Sequence, residues 1–344
     1  MNLNDNSERE IWLDNIKSVA CILVVLGHFF QSMIKADIWM ENAWYEWFEQ
    51  TIYFFHVPLF FMCSGYLYQR YSKVNSFESW KRNVLKKFVV LGVPYCSFTT
   101  ITWILKMIFP DSVNSPVENL FDVLLKSPMS PYWYLYSLFF IFMIIPTFSE
   151  KVYAYVGVGM ALILKMYAIY VGGCSVYAIS TIINNTIWFV IGMFLCMVGF
   201  ENLLNRIFSL CVGSLLLTLF LCISVFIYLH GINSGMMNTA MGAIACLAVF
   251  LLTHSMKAEG ELRKFERIGM KYSFPIFLMH TIFAAAIRIV LIELEIRNAG
   301  IHTVLGLSAS FIGPIIATKI MERCKWMEFF MYPGKYIKFN KVKL

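Results

Sequence analysis

Ten stretches of mostly apolar residues run through this chain, each about 17–25 residues long and so long enough to cross a ~30 Å hydrocarbon layer as a helix. They lie near 13–34, 50–69, 84–107, 132–148, 152–171, 181–200, 206–229, 237–254, 273–292 and 301–321. Of 344 residues, 59% are hydrophobic and 14% charged, where a soluble domain carries about 25% charged. The expected fold is an all-α polytopic membrane protein of about ten transmembrane helices, one membrane domain over residues 1–344.

Loop charge tests that plan independently of hydropathy. With the N-terminus in the cytoplasm, the inner segments hold 22 of the 28 lysines and arginines and the outer segments four; Lys165 and Arg288 fall within spans. The asymmetry predicts a multi-pass protein of the cell membrane with both termini cytoplasmic. Residues 1–12 form an inner tail and 108–131 an outer loop. Residues 323–344 form an inner tail whose Lys335, Lys338, Lys341 and Lys343 face anionic lipid. The net charge of +7 is spread over alternate loops, so the expected partner is the bilayer and not nucleic acid. In the outer loop Ser115-Pro116-Val117-Glu118 has a capping-box pattern, followed by an apolar face of Leu120, Phe121, Leu124 and Leu125. That predicts a short interfacial helix. Seven of the nine cysteines fall in spans, Cys174 and Cys324 lie on opposite sides, and no CxxC or Cys/His ligand spacing occurs. Neither a disulfide framework nor a metal site is expected. The first ten residues lack the apolar core of a signal peptide, so the first span is expected to direct insertion.

Polar residues inside spans carry the functional reading, because a charge at bilayer depth costs ~2.5–3.5 kcal/mol on insertion scales. In DNIKSVACILVVLGHFFQ, Lys17 and His28 are eleven positions apart. That is three turns plus roughly 20°, which puts both on one stripe ~16 Å apart along the axis. Asp14, one turn before Lys17, can pair with it. The alternative is a snorkelling lysine and a packed histidine. In the second span, TIYFFHVPLFFMCSGYLY, antiparallel packing places His56 at the depth of His28, where two imidazoles can share a cavity. Histidine has the pKa of a general base near neutrality. Ser64 is a candidate nucleophile with no base at its depth, and Ser64-Gly65 favours close helix approach instead. His280, in the ninth span, is placed nearer the cytoplasmic side as either a functional or a hydrogen-bonded core histidine. Lys165 and Arg288 lie toward outer span ends, where long basic side chains snorkel; both are kept as candidates. His230, His254 and His302 sit near span boundaries and are read as interfacial.

Lys17-x10-His28 followed by FHVPLFFMCSGY from Phe55 to Tyr66 resembles the acyltransferase 3 family of integral-membrane acyltransferases, which includes O-acetyltransferases of bacterial surface polysaccharides. The family opens with an apolar residue, Asp, two residues, Arg, ten residues and His; here Leu13, Asp14, Lys17 and His28 stand in that pattern. Phe60, Phe61, Ser64 and Gly65 match its phenylalanine-rich Ser-Gly element. PYWYLYSLFF, WFVIGMF, YSFPIFLMH and YPGKYIK extend the likeness over nearly the whole chain. Two departures bear on donor binding: Lys17 replaces the usual arginine, and the family's Arg-x-x-Arg before the third span is absent. Arg82, Lys86 and Lys87 supply charge there at other spacing.

The resemblance implies transfer of an acyl group, acetyl above all, from cytoplasmic acyl-CoA (acetyl-CoA) to a hydroxyl of a glycan or lipid-linked glycan, with no permanently bound cofactor. On that reading Lys17, Arg82, Lys86 and Lys87 face the donor phosphates and Asp14 holds Lys17. His28 acts as general base or takes the acyl group itself, and His56 completes the proton path or orients the acceptor. The competing classes are a transporter or flippase, in which intramembrane charges are also expected, and a non-catalytic membrane sensor on the same scaffold. The concentration of polar groups in spans one and two favours the enzyme.

Overall fold

The computed structural model describes residues 11–110, 118–172, 174–200, 205–256 and 261–337, with side chains of 11 and 261–266 outside the description. Every one of the ten predicted spans is helical, and the described residues contain no strand. Among the described residues, eight helices are long and apolar enough to cross a membrane. They are α1 (Ile11–Lys35), the continuous α4–α5 (Phe77–Lys87 and Val93–Ile108), α8 (Lys151–Val171), α9 (Tyr177–Val198), α10 (Arg206–Leu229), α11 (Gly235–Ser255), α12 (Glu261–Glu293) and α13 (Ala299–Met321). Short connections make successive spans run alternately between the end where α1 starts, called the N-terminal end below, and the far end.

The other two predicted spans are shorter helices. The second is split into α2 (Ala43–Tyr53) and α3 (His56–Tyr71), which meet at Phe54-Phe55. Pro58 has no N–H to bond the Phe54 carbonyl, and Phe55 leaves the helical region at φ −137°, ψ −19°. α11 covers the break: Cys246 Sγ donates to the Phe55 carbonyl at 3.8 Å. The fourth span, α7, is only Trp133–Ile144, because the chain before it dips into the bundle. Between α4 and α5 a widened π turn at Phe88–Gly92 absorbs the amide that Pro94 lacks.

Without a hydrophobic drive between helices in lipid, close packing and hydrogen bonds hold the bundle. α3 and α9 cross backbone to backbone. A Cβ on Gly65 would lie 1.9 Å from the Phe189 carbonyl oxygen, and one on Gly192 would lie 2.0 Å from that of Met62. α1 packs on α12, where Ser18 and Ser273 hydroxyls are 3.4 Å apart and Cys21 Sγ donates to the Ser273 carbonyl. Arg288, expected to snorkel, is instead 5% exposed and donates to both the hydroxyl and the carbonyl of Ser32. The turn of α12 that carries it faces α1, so its guanidinium reaches a helix partner and not the interface.

The outer-loop helix is α6 (Leu120–Leu125), capped by the Asn119 side chain on the Phe121 amide at 2.9 Å. The predicted cap at Ser115 lies outside the described residues, and Glu118 is not helical, so the helix starts later than its sequence pattern indicates. The C-terminal segment folds back as α14 (Lys325–Met331) and a 3-10 turn at Pro333–Lys335. Met331 and Pro333 are buried, and Gly334 packs on Val90 of the π turn. Lys335 and Tyr336 both donate to the Glu328 carboxylate. Lys338, Lys341 and Lys343 lie outside the described residues.

Candidate active site

The break between α2 and α3 and the inward dip of Ser130-Pro131 leave a cavity of about 950 Å³. Its walls run from His28, His56 and Trp188 in mid-bundle to Gly231 and Gly235 beyond the end of α10, so it opens at the far end. Amides and hydroxyls line much of it, among them Gln31, Gln50, Asn185 and Asn238.

His28 stands on the α1 wall with its Nε2 3.3 Å from the Ser130 hydroxyl. The His280 ring stacks against it, centroids 5.5 Å apart and planes at 28°. His280 Nδ1 donates to the Ile276 and Phe277 carbonyls at 2.9 and 3.0 Å, so the proton sits on Nδ1 and Nε2 is a bare acceptor. That Nε2 is buried without a hydrogen-bond partner, beside a chamber of about 40 Å³ shared with His28, Ser32, Thr281 and Ser310. The chamber has room and polar walls for a single water. His56, 4% exposed, is fixed in the same way: Nδ1 donates to the Ile52 carbonyl at 2.7 Å, leaving Nε2 as its basic nitrogen.

His28 and His56, predicted to stand at one depth, line one cavity. His280 is a correction. α12 extends back to Glu261, which moves residue 280 past mid-helix and level with His28 and away from the N-terminal end. Lys165 is another: its ammonium does not snorkel but lines the cavity, donating to Asn184 Oδ1 at 3.0 Å and to the Asn184 carbonyl at 3.3 Å. Ser64 hydrogen-bonds the Tyr134 hydroxyl at 3.0 Å and does not line the cavity, which agrees with a packing role.

The donor-side residues lie elsewhere. Lys17 donates to Asp14 at 3.3 Å, the predicted i,i+3 pair. Lys87 sits over the Phe142 ring at 3.7 Å from its centroid and within electrostatic reach of Lys86 and Lys17. Neither Asp14, Lys17, Arg82, Lys86 nor Lys87 lines the cavity. Its floor on their side is an aromatic triad, with Phe60, Tyr134 and Phe277 centroids 5.5, 5.7 and 6.2 Å apart. Two groups of cavity residues escaped the sequence reading. Asn184 and Asn185 were legible as adjacent amides inside an apolar span. Ser130 carried no signal, because it reads as outer loop.

Comparison with known proteins gives this geometry its context. The family described as an acyltransferase domain matches residues 10–319. Two curated relatives are both named nodulation protein NolL. The one from Mesorhizobium japonicum is 29% identical over 142 residues, 40% of this chain and 36% of that protein. The one from Sinorhizobium fredii is 43% identical over 61 residues, 18% of this chain and 16% of that protein. The chain therefore aligns with well under two thirds of either relative. No solved structure matches. The family match runs from the start of α1 to the last turn of α13, and on it this membrane protein belongs to the acyltransferase 3 family.

Proposed function

We propose that this chain moves an acyl group, acetyl in the first instance, from cytoplasmic acyl-CoA to a hydroxyl of a glycan or lipid-linked glycan that enters the cavity from the extracytoplasmic side. The orientation follows the lysine and arginine distribution, which makes the far end extracytoplasmic. One observation carries the reading: His28, one of two imidazoles on the cavity wall, has a hydroxyl already within reach of its Nε2. Family membership supports the reaction class.

In this scheme the acceptor hydroxyl takes the place Ser130 occupies beside His28. Nε2 removes its proton as the oxygen attacks the thioester carbonyl. The C–S bond breaks, the departing thiolate takes up the proton, and an ester and free CoA result. His280 holds the His28 ring from behind, and the basic nitrogen of His56 orients the acceptor. Lys17, Arg82, Lys86 and Lys87 supply positive charge for the donor phosphates. For the thioester to reach His28 from that end, the Phe60–Tyr134–Phe277 triad has to part.

The broken second span favours one other reading, a transporter, because half-helices ending at a mid-membrane cavity are a transporter device. Turnover of labelled acetyl-CoA by purified protein with a hydroxyl acceptor separates the two. The expected result is ester formation, lowered at least ~100-fold in His28→Ala. Near-normal turnover in that variant removes the role of His28. Acceptor uptake into vesicles without donor consumption replaces the enzyme with the transporter.

A further inference from the structure

Lys165 is the one formal charge on the cavity wall among the described residues, and no aspartate or glutamate lines that wall. Its ammonium has hydrogen bonds to Asn184 alone, both neutral acceptors, and no ion-pair partner among the described residues. Two carboxylates just behind the wall are held by residues that line it: Glu49 accepts from Gln31 at 2.7 Å, and Glu46 accepts from Tyr228 at 2.8 Å. A cation in a membrane span without a counter-ion is costly, and such residues mark substrate sites. An ammonium that donates to one amide still has hydrogens to give. Around it, amides such as Asn185 and Asn238 both donate and accept, which suits hydroxyl groups, and Trp188 and Tyr53 offer ring faces. A cationic acceptor would meet no balancing charge here.

We propose that the cavity selects an acceptor sugar bearing one acidic group, a carboxylate or a phosphate, and that Lys165 is the residue that reads it. The proposal names the substrate class of the site above and rests on that reading for the reaction. Binding is nonetheless measurable without it.

Purified protein in nanodiscs is titrated with glucose, glucuronate and glucose 1-phosphate, following tryptophan fluorescence, since Trp133 and Trp188 line the cavity. The acidic probes are expected to bind about tenfold or more tighter than glucose, as a charge-assisted hydrogen bond implies. That preference should shrink with added salt, collapse in Lys165→Gln and survive in Lys165→Arg. Preference for glucuronate assigns a carboxylate, preference for the phosphate assigns a phosphate, and equal affinity for all three probes overturns the proposal. So does a Lys165→Gln variant that folds and keeps the wild-type ratio. The wild-type salt dependence decides the matter if that variant does not fold. His28→Ala separates the two readings: retained acidic preference without turnover upholds Lys165 whatever becomes of the catalytic role. Loss of preference in Lys165→Gln alongside normal ester formation on neutral sugars also upholds it.

Discussion

Replacing Gly192 with alanine tests whether the α3–α9 crossing sets the shape of the site. The new Cβ would lie 2.0 Å from the Met62 carbonyl oxygen and 2.7 Å from its carbon, and both atoms are backbone that cannot rotate away. Such contacts do not occur below 3.0 Å, so the helices must separate by about 1 Å. Overpacking of this kind costs ~1–3 kcal/mol, with the upper end expected where backbone is the obstacle. At 2–4 °C per kcal/mol for a large domain, thermal unfolding in detergent should fall by roughly 5–10 °C. Gly65→Ala, whose Cβ would sit 1.9 Å from the Phe189 carbonyl oxygen, should cost about the same. Because one separation relieves both clashes, the double variant should be little worse than either single one. Gly159→Ala, with nothing within 4 Å of its Cβ, is the control and should unfold with the wild type. Single variants as stable as that control, or fully additive losses in the double, would refute a crossing held by a shared backbone contact.

Lys17→Arg should keep donor affinity and Lys17→Ala weaken it, measured by competition with labelled acetyl-CoA; equal affinities in all three proteins would remove Lys17 from the donor site. Arg288→Met strips charged hydrogen bonds from Ser32 and should cost ~1.5–3 kcal/mol of stability, with ester formation per folded molecule retained. A selective loss of turnover in the folded variant would show that Arg288 acts at the site. Burial opposes ionisation of Glu328, but hydrogen bonds from Lys335 and Tyr336 outweigh it and hold the carboxyl below the ordinary glutamate range. A lowered folded pKa means its stabilisation is complete above the unfolded value and disappears as pH falls through the folded one. Protease cleavage within 325–337 should therefore accelerate below about pH 4 in wild type but not in Glu328→Gln; a flat wild-type profile would disprove the linkage.

Hydropathy and length located all ten helical segments, because each must bury its own backbone groups in lipid over a fixed thickness. They did not show that the second segment is two half-helices, although Pro58 marks where a carbonyl loses its partner. Antiparallel counting predicted one depth for His28 and His56, and both line one cavity. The bounds of the ninth apolar run misplaced His280, since they took the start of α12 from that run and not from the polar turns before it. Lys165 reads identically whether it reaches for water or turns to Asn184; only the neighbouring helix decides. Ser130 depends on a loop path that no local pattern encodes.

The aromatic floor under His28 has a consequence for how the two sides of the membrane communicate. The cavity is closed toward the N-terminal end by three contacting rings, so any widening in that direction begins with side-chain rotation. Contacting ring faces of this kind deny passage to ions and hydrated solutes. Closed in this way, the cavity can fill with water from the far end without joining it to the charges at the N-terminal end.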